Sequence, residues 1–171
     1  KQLRMIRKRV AARDPEAIWN LGDVYLHGSH GLEKDEPRAI KLWSEAAELG
    51  STTALFKMGY CYYYGQCGVE RDKTMGTRYW ESAAKKGQVD SRHLIGGCER
   101  DNGKFDRAVR HFMISAKVGF KPSLDRIKVM FANGHATKSQ YAEALRGYRD
   151  AAEEMKSPER DEAPKVGNNL V

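Results

Sequence analysis

Two stretches of this chain carry the same residue pattern 37 positions apart, and no other feature constrains the fold as much. From Ala17 the sequence reads A-I-W-N-L-G-D-V-Y-L-H-G, then K-D-E-P-R-A-I-K-L-W-S-E-A-A-E-L-G. From Ala54 it reads A-L-F-K-M-G-Y-C-Y-Y-Y-G, then R-D-K-T-M-G-T-R-Y-W-E-S-A-A-K-K-G. Gly22/Gly59, Tyr25/Tyr62, Gly28/Gly65, Asp35/Asp72, Trp43/Trp80, Ala47/Ala84 and Gly50/Gly87 all share that offset. A fixed period of this length marks a repeat architecture, in which each unit buries its apolar face against the next.

A third copy follows with a connecting loop five residues shorter. Ser91, Ile95 and Gly96 open it, and Ala108, Phe112, Ala116 and Gly119 complete it. A fourth copy is eroded: Ser123, Ile127, Phe131 and Gly134 open it, Ala144, Tyr148, Ala152 and Met155 close it, and Lys128 replaces the glycine. That loss suits a terminal capping unit. Leu3, Ile6 and Val10 align with Ile40, Trp43 and Ala47, so residues 1–13 read as the second helix of a preceding partial unit. The expected division is therefore 1–13, 14–50, 51–87, a shortened 88–119, a divergent cap at 120–155, and a polar flexible tail at 156–171.

Within each unit, apolar residues recur at spacings of three and four, which predicts two amphipathic helices, A and B. Helix A is expected near 15–27, 52–64, 89–100 and 121–133, and helix B near 36–49, 73–86, 105–118 and 138–155. Pro37 falls in a first helical turn, and Gly50, Gly87 and Gly119 fall just past helix ends, as helix punctuation requires. Gly22, Gly59 and Gly96 sit mid-helix, where glycine costs about 0.8–1.0 kcal/mol relative to alanine. Three in register imply close approach of another group to the backbone. Trp43, Trp80, Phe112 and Tyr148 are the large residues expected to fill the space between units.

The pattern A-x-x-x-L-G-x-x-Y-x-x-G, a loop with G-[LV]-x-[KR]-D, then A-x-x-x-W-x-x-x-A-x-x-G, resembles the Sel-one-like repeat (SLR) family. That family is a subclass of the tetratricopeptide-type α/α solenoids. The resemblance covers residues 14–119 strongly and 1–13 and 120–155 by position. It implies an all-α, right-handed superhelical solenoid of about nine helices, acting as an adaptor with no shared active site or cofactor. The third unit departs by losing the G-[LV] loop and by placing Glu99 where tyrosine is expected. Some secreted bacterial members staple each unit with a cysteine pair, a pairing this sequence is expected to lack.

The net charge is +7, yet its distribution matters more than its size. Residues 1–13 hold six basic side chains and no acid, residues 14–50 eight acids against three bases, and residues 104–128 seven bases against two acids. A nucleic-acid footprint puts its cations on one continuous face; here an acidic unit interrupts them. Three cysteines point to a reducing interior, and no stretch nears the roughly 18 apolar residues of a membrane span. An intracellular compartment, or the soluble part of a membrane-associated complex, is expected. The chain begins at Lys1, as a trimmed or processed segment would.

Catalytic residues, cofactor and metal ligands are all expected to be absent: no P-loop, dinucleotide fingerprint or nucleophile elbow appears. His27 and His30 are the only close histidine pair, without an evident third and fourth ligand. Cys61 and Cys98 occupy a repeat position otherwise taken by Val24 and Met130, which reads as a core thiol, while Cys67 lies in a loop as a candidate exposed thiol. Partner binding is assigned to the variable face of helix A, through Trp19, Asp23, Leu26, Phe56, Tyr60, Tyr63, His93 and Arg100, with Tyr64 and His27 flanking. Aromatic anchors of this kind are what binding hot spots use. A basic patch is expected at Arg107, Arg110, Lys117 and Lys121. The leading functional reading is a non-enzymatic protein–protein interaction scaffold that binds a peptide or helix segment within a multi-subunit complex. The alternative is an architectural subunit of an organellar or ribonucleoprotein complex, touching RNA through residues 1–13 and the basic third unit.

Overall fold

The computed structural model describes residues 2–156; the tail expected from residue 156 onward lies, past Lys156, outside the described residues. Among the described residues there are nine helices and no strand. These are α1 (Gln2–Ala11), α2 (Pro15–His27), α3 (Glu36–Glu48), α4 (Thr52–Tyr64), α5 (Lys73–Lys85), α6 (Val89–Asp101), α7 (Phe105–Lys117), α8 (Lys121–Ala132) and α9 (Lys138–Glu154). The eight helices of the four pairs fall within one residue of their expected bounds. Two compact units divide between Ile95 and Gly96, inside α6.

In the first unit α2 packs against α3 and α4 against α5, and α3 meets α4. Local sequence dictates each start. Asp14 accepts from the N–H groups of Glu16 and Ala17, Asp35 from Arg38, Ser51 from Ala54, and Asp72 from Met75, so the orphan donors of each first turn are satisfied. Ser51 does a second job: its hydroxyl donates to Glu16 Oε1 at 2.6 Å, joining the start of α2 to the start of α4. The helix α1 lies on α2 through Leu3, Ile6 and Val10, which pack on Leu21, Tyr25 and Ala39.

The mid-helix glycines admit an indole. Trp43 is fully buried, and a Cβ placed on Gly22 would lie 2.5 Å from its Cδ1 and 2.6 Å from its Nε1. The same indole N–H donates to the Trp19 carbonyl at 3.2 Å. One period later Trp80 lies against Gly59 and donates to the Phe56 carbonyl, also at 3.2 Å. Each tryptophan thus clamps helix B onto the bare backbone of helix A.

In the second unit Phe112 lies against Gly96, with Cε1 2.8 Å from where a Cβ would be. Phe112 packs with Val109, Leu124, Ile127, Met130 and Ala144 in one core of α7, α8 and α9. A capping box of Thr137 and Gln140 starts α9. At α7 the residue in the cap position is Lys104, which provides no side-chain acceptor.

The α2 cap also carries an ion pair, Arg9 to Asp14 at 2.6 Å. The Arg9 hydrogen bond, then the Ala17 amide, hold the Asp14 carboxyl below its ordinary value. A carboxylate lowered in the folded state stabilises the fold above its unfolded value, about 3.9, and loses that effect as pH falls through the folded value. Replacing Arg9 by Gln is therefore expected to move the Asp14 midpoint upward in a carbon-detected NMR titration, with the start of α2 fraying at higher pH. An unchanged midpoint would remove Arg9 as the cause.

Candidate functional site

The end of α4 gathers tyrosines. Tyr63 sits on Trp80 with ring centroids 4.9 Å apart, Tyr64 meets Tyr63 at 5.0 Å, and Tyr60 lies 4.6 Å from Tyr64. The series runs from core to solvent. Trp80 is buried, Tyr63 half-buried, and Tyr60 and Tyr64 are 37% and 45% exposed. Lys73 Nζ stands 5.5 Å from the centre of the Tyr63 ring. The outermost rings are therefore held by rings beneath them and present a pre-ordered aromatic surface.

The other residues expected on the helix A face divide by how much packing they supply. Trp19 and Leu26 are half-buried against the cluster of Trp43, Met58 and Cys61. Phe56 is half-buried and lends its carbonyl to Trp80. Asp23 faces His27, whose Nδ1 is 3.5 Å from the carboxylate and 2.9 Å from the Asp23 carbonyl. His93 is half-buried in α6. Arg100, in the second unit, pairs with Asp101 at 2.6 Å. Open surface on this face thus centres on Tyr60, Tyr64, Asp23 and His27.

The basic residues expected to form a patch on α7 and at the start of α8 are largely matched by acids. Arg107 reaches Glu99 at 2.7 Å, Lys117 reaches Glu143 at 2.5 Å, and Lys121 reaches Asp125 at 2.9 Å. The linear charge count misses this because Lys117 and Glu143 are 26 residues apart. Open clefts among the described residues include one of about 740 Å³ over the start of α3, and one of about 480 Å³ at the start of α7 between Lys104, Arg107 and the stacked pair Phe105–His135.

A family model described as the Sel1 repeat matches residues 15–51 and 52–88. These residues are two Sel1 repeats. Among solved structures, a protective antigen of uropathogenic Escherichia coli strains displaying an SLR fold matches with a TM-score of 0.76 at 24% identity. That match covers 89% of this chain and 33% of the antigen. A Sel1 repeat protein from Oxalobacter formigenes matches with a TM-score of 0.71 at 25% identity, over 87% of this chain and 62% of that one. An immunity protein of Pseudomonas aeruginosa matches at 0.51 and 16% identity, over 95% and 78%. The chain spans a third of the first of these proteins and under two thirds of the second. Likeness at the lower identities shows the fold, an all-α SLR solenoid. Among proteins of curated function none matches. Sel1 repeat proteins are generally protein-interaction scaffolds without a shared enzymatic activity.

The second Sel1 repeat corrects two expectations about cysteine. Cys61 and Cys67 form a disulfide, so Cys61 is not a core thiol, Cys67 is not an exposed one, and the chain does not lack a stapled unit. The residues at its own repeat position, Val24 and Met130, do not reveal this pairing of Cys61. Its partner comes from the loop, which the turn after Gly65 folds back over the helix end. The bond also removes the cysteine count as support for a reducing compartment. Among the described residues no helix is long and apolar enough to cross a membrane.

Proposed function

We propose that the chain is a non-enzymatic scaffold that binds a segment of a protein partner on the helix A face of its Sel1 repeats and helps assemble a larger complex. The observation that carries this is the tyrosine platform: Tyr60 and Tyr64 expose large rings already fixed by Tyr63 and Trp80. Rigid aromatics bind with little ordering cost, which is why they dominate interface energetics. Asp23 and His27 add a polar contact one repeat earlier, Trp19, Leu26 and Phe56 shape the floor, and His93 would extend the face. The helix pairs at 88–119 and 120–155 belong to this reading as a shortened and a capping repeat.

The RNA-contacting alternative rests on residues 1–13 and on Arg107, Arg110, Lys117 and Lys121. Three of those four cations already have an acidic partner, which ranks this reading second. Chemical crosslinking and pulldown from source extract tests the two together. Because Tyr63 is seated between Gly76 and Trp80, the variant to use is Tyr60→Ala with Tyr64→Ala. Recovery of a protein partner is expected to fall roughly tenfold or more in the variant and to survive nuclease. Recovery abolished by nuclease and indifferent to the tyrosines would replace the scaffold reading with the RNA one.

A further inference from the structure

The disulfide between Cys61 and Cys67 closes over a turn that this chain also builds without one. In the first Sel1 repeat the corresponding residues are Val24 and His30. The backbone of the two turns is the same. Gly28 and Gly65 have φ of 61° and 67°, His30 and Cys67 56° and 60°, and Gly31 and Gly68 81° and 76°. Ser29 N–H donates to the Val24 carbonyl at 3.1 Å, and Gln66 N–H to the Cys61 carbonyl at 2.9 Å. Asp35 N–H donates to the Tyr25 carbonyl and Asp72 N–H to the Tyr62 carbonyl, both at 2.8 Å. A turn that forms alike around valine and histidine does not depend on a crosslink. That turn sets the cysteine Cα atoms 5.7 Å apart, inside the window of about 4.4–6.8 Å that a disulfide requires.

We infer that Cys61 and Cys67 are a reversible thiol–disulfide exchange site, held at bonding separation by the repeat's own turn, whose co-reactants are low-molecular-weight thiols and disulfides of the glutathione class. Cys61 is fully buried, whereas Cys67 is on the loop and half-exposed, so Cys67 is the sulfur an incoming disulfide meets first. Its thiolate attacks one sulfur of oxidised glutathione; the S–S bond of that molecule breaks, and one glutathione leaves, taking up the proton Cys67 gave. Cys61 then loses its proton and attacks the Cys67 sulfur of the mixed disulfide, and the second glutathione leaves as a thiol. Two cysteine thiols are oxidised by two electrons, and one glutathione disulfide is reduced to two thiols. Excess glutathione runs the same steps backwards. The reduced Cys61 keeps its place beside Trp43 and Met58 as a small apolar residue.

The test uses the full chain carrying Cys98→Ala, equilibrated in glutathione buffers, quenched by alkylation and read by mass spectrometry with far-UV circular dichroism alongside. The Cys61–Cys67 disulfide is expected to rise from a tenth to nine tenths over a roughly eightyfold increase in [GSSG]/[GSH]². Helix content should be equal at both ends. A second variant, Cys61→Val with Cys67→His, copies the first repeat and is expected to keep that helix content. Loss of helix on reduction or in this variant would make the crosslink the cause of the turn and overturn the inference. So would a disulfide that resists every excess of glutathione, or a persistent mixed disulfide at Cys67 showing that the two sulfurs do not meet.

Discussion

Replacing Trp43 by alanine is expected to destabilise the first unit by about 3–5 kcal/mol, the range for truncating a large buried aromatic. The indole has no exposed surface, fills the notch left by Gly22, and packs on Met58 and Cys61. No neighbour can collapse into the space without moving a whole helix, because the notch is bounded by backbone. Lys57 Nζ also lies 5.5 Å from the ring centre and would lose a cation–π contact. Trp43→Phe gives an intermediate case: it keeps part of the packing but removes both the N–H donated to Trp19 and part of the buried ring, a loss of about 1–3 kcal/mol. Urea unfolding followed by circular dichroism reads both variants. A loss under about 1 kcal/mol for Trp43→Ala would mean the clamp is not what holds the helix pair together.

The second large effect is one of sign. Gly59→Ala on an open helix would stabilise by about 0.8–1.0 kcal/mol through helix propensity alone. Here the new methyl would lie 2.5 Å from Trp80 Nε1 and 3.0 Å from the Gly76 carbonyl. Relieving that overlap means displacing Trp80, and overpacking of this kind costs about 1–3 kcal/mol. A net loss is expected. Gly97 is the control: it is also inside a helix, α6, but a Cβ there meets nothing within 4 Å. Gly97→Ala should therefore gain up to about 0.8 kcal/mol. Opposite signs in parallel thermal melts support the close-approach account; the same sign for both would end it.

Which features could be read from the chain follows from the range over which each is encoded. The helices and their pairing are written in a 37-residue register, so Gly22, Trp43, Gly59 and Trp80 stand out without coordinates. Function is encoded less locally. An aromatic residue that anchors a partner and one that fills space between repeats look alike along the chain, and only burial separates Tyr60 from Tyr63 or Trp19. The pairing of the basic residues is hidden for a related reason, since the acids that match Arg107 and Lys117 come from other helices. The disulfide was hidden because Cys67 sits at a loop position filled by His30 in the other repeat, and its closeness to Cys61 arises from residues with positive φ. A pattern of cysteines compared with the turn geometry, and not with repeat position alone, would have found it.

The hydrogen bond from Ser51 to Glu16 has a consequence for cooperativity. Ser51 caps α4 only while its oxygen is held in place, and it is held by a carboxylate from the preceding repeat. Fraying at the start of α2 therefore weakens the start of α4, and opening free energies at the two helix starts become linked in the nearest-neighbour manner of repeat arrays. One period on, Thr53 and Gln88 stand in place of Glu16 and Ser51, and Gln88 caps Ser91 while its amide donates to Asp90 of the same helix, not to a carboxylate of the preceding repeat. In native-state hydrogen exchange the amides opening α2 and α4 should respond together to Glu16→Gln, while those opening α6 should exchange as before.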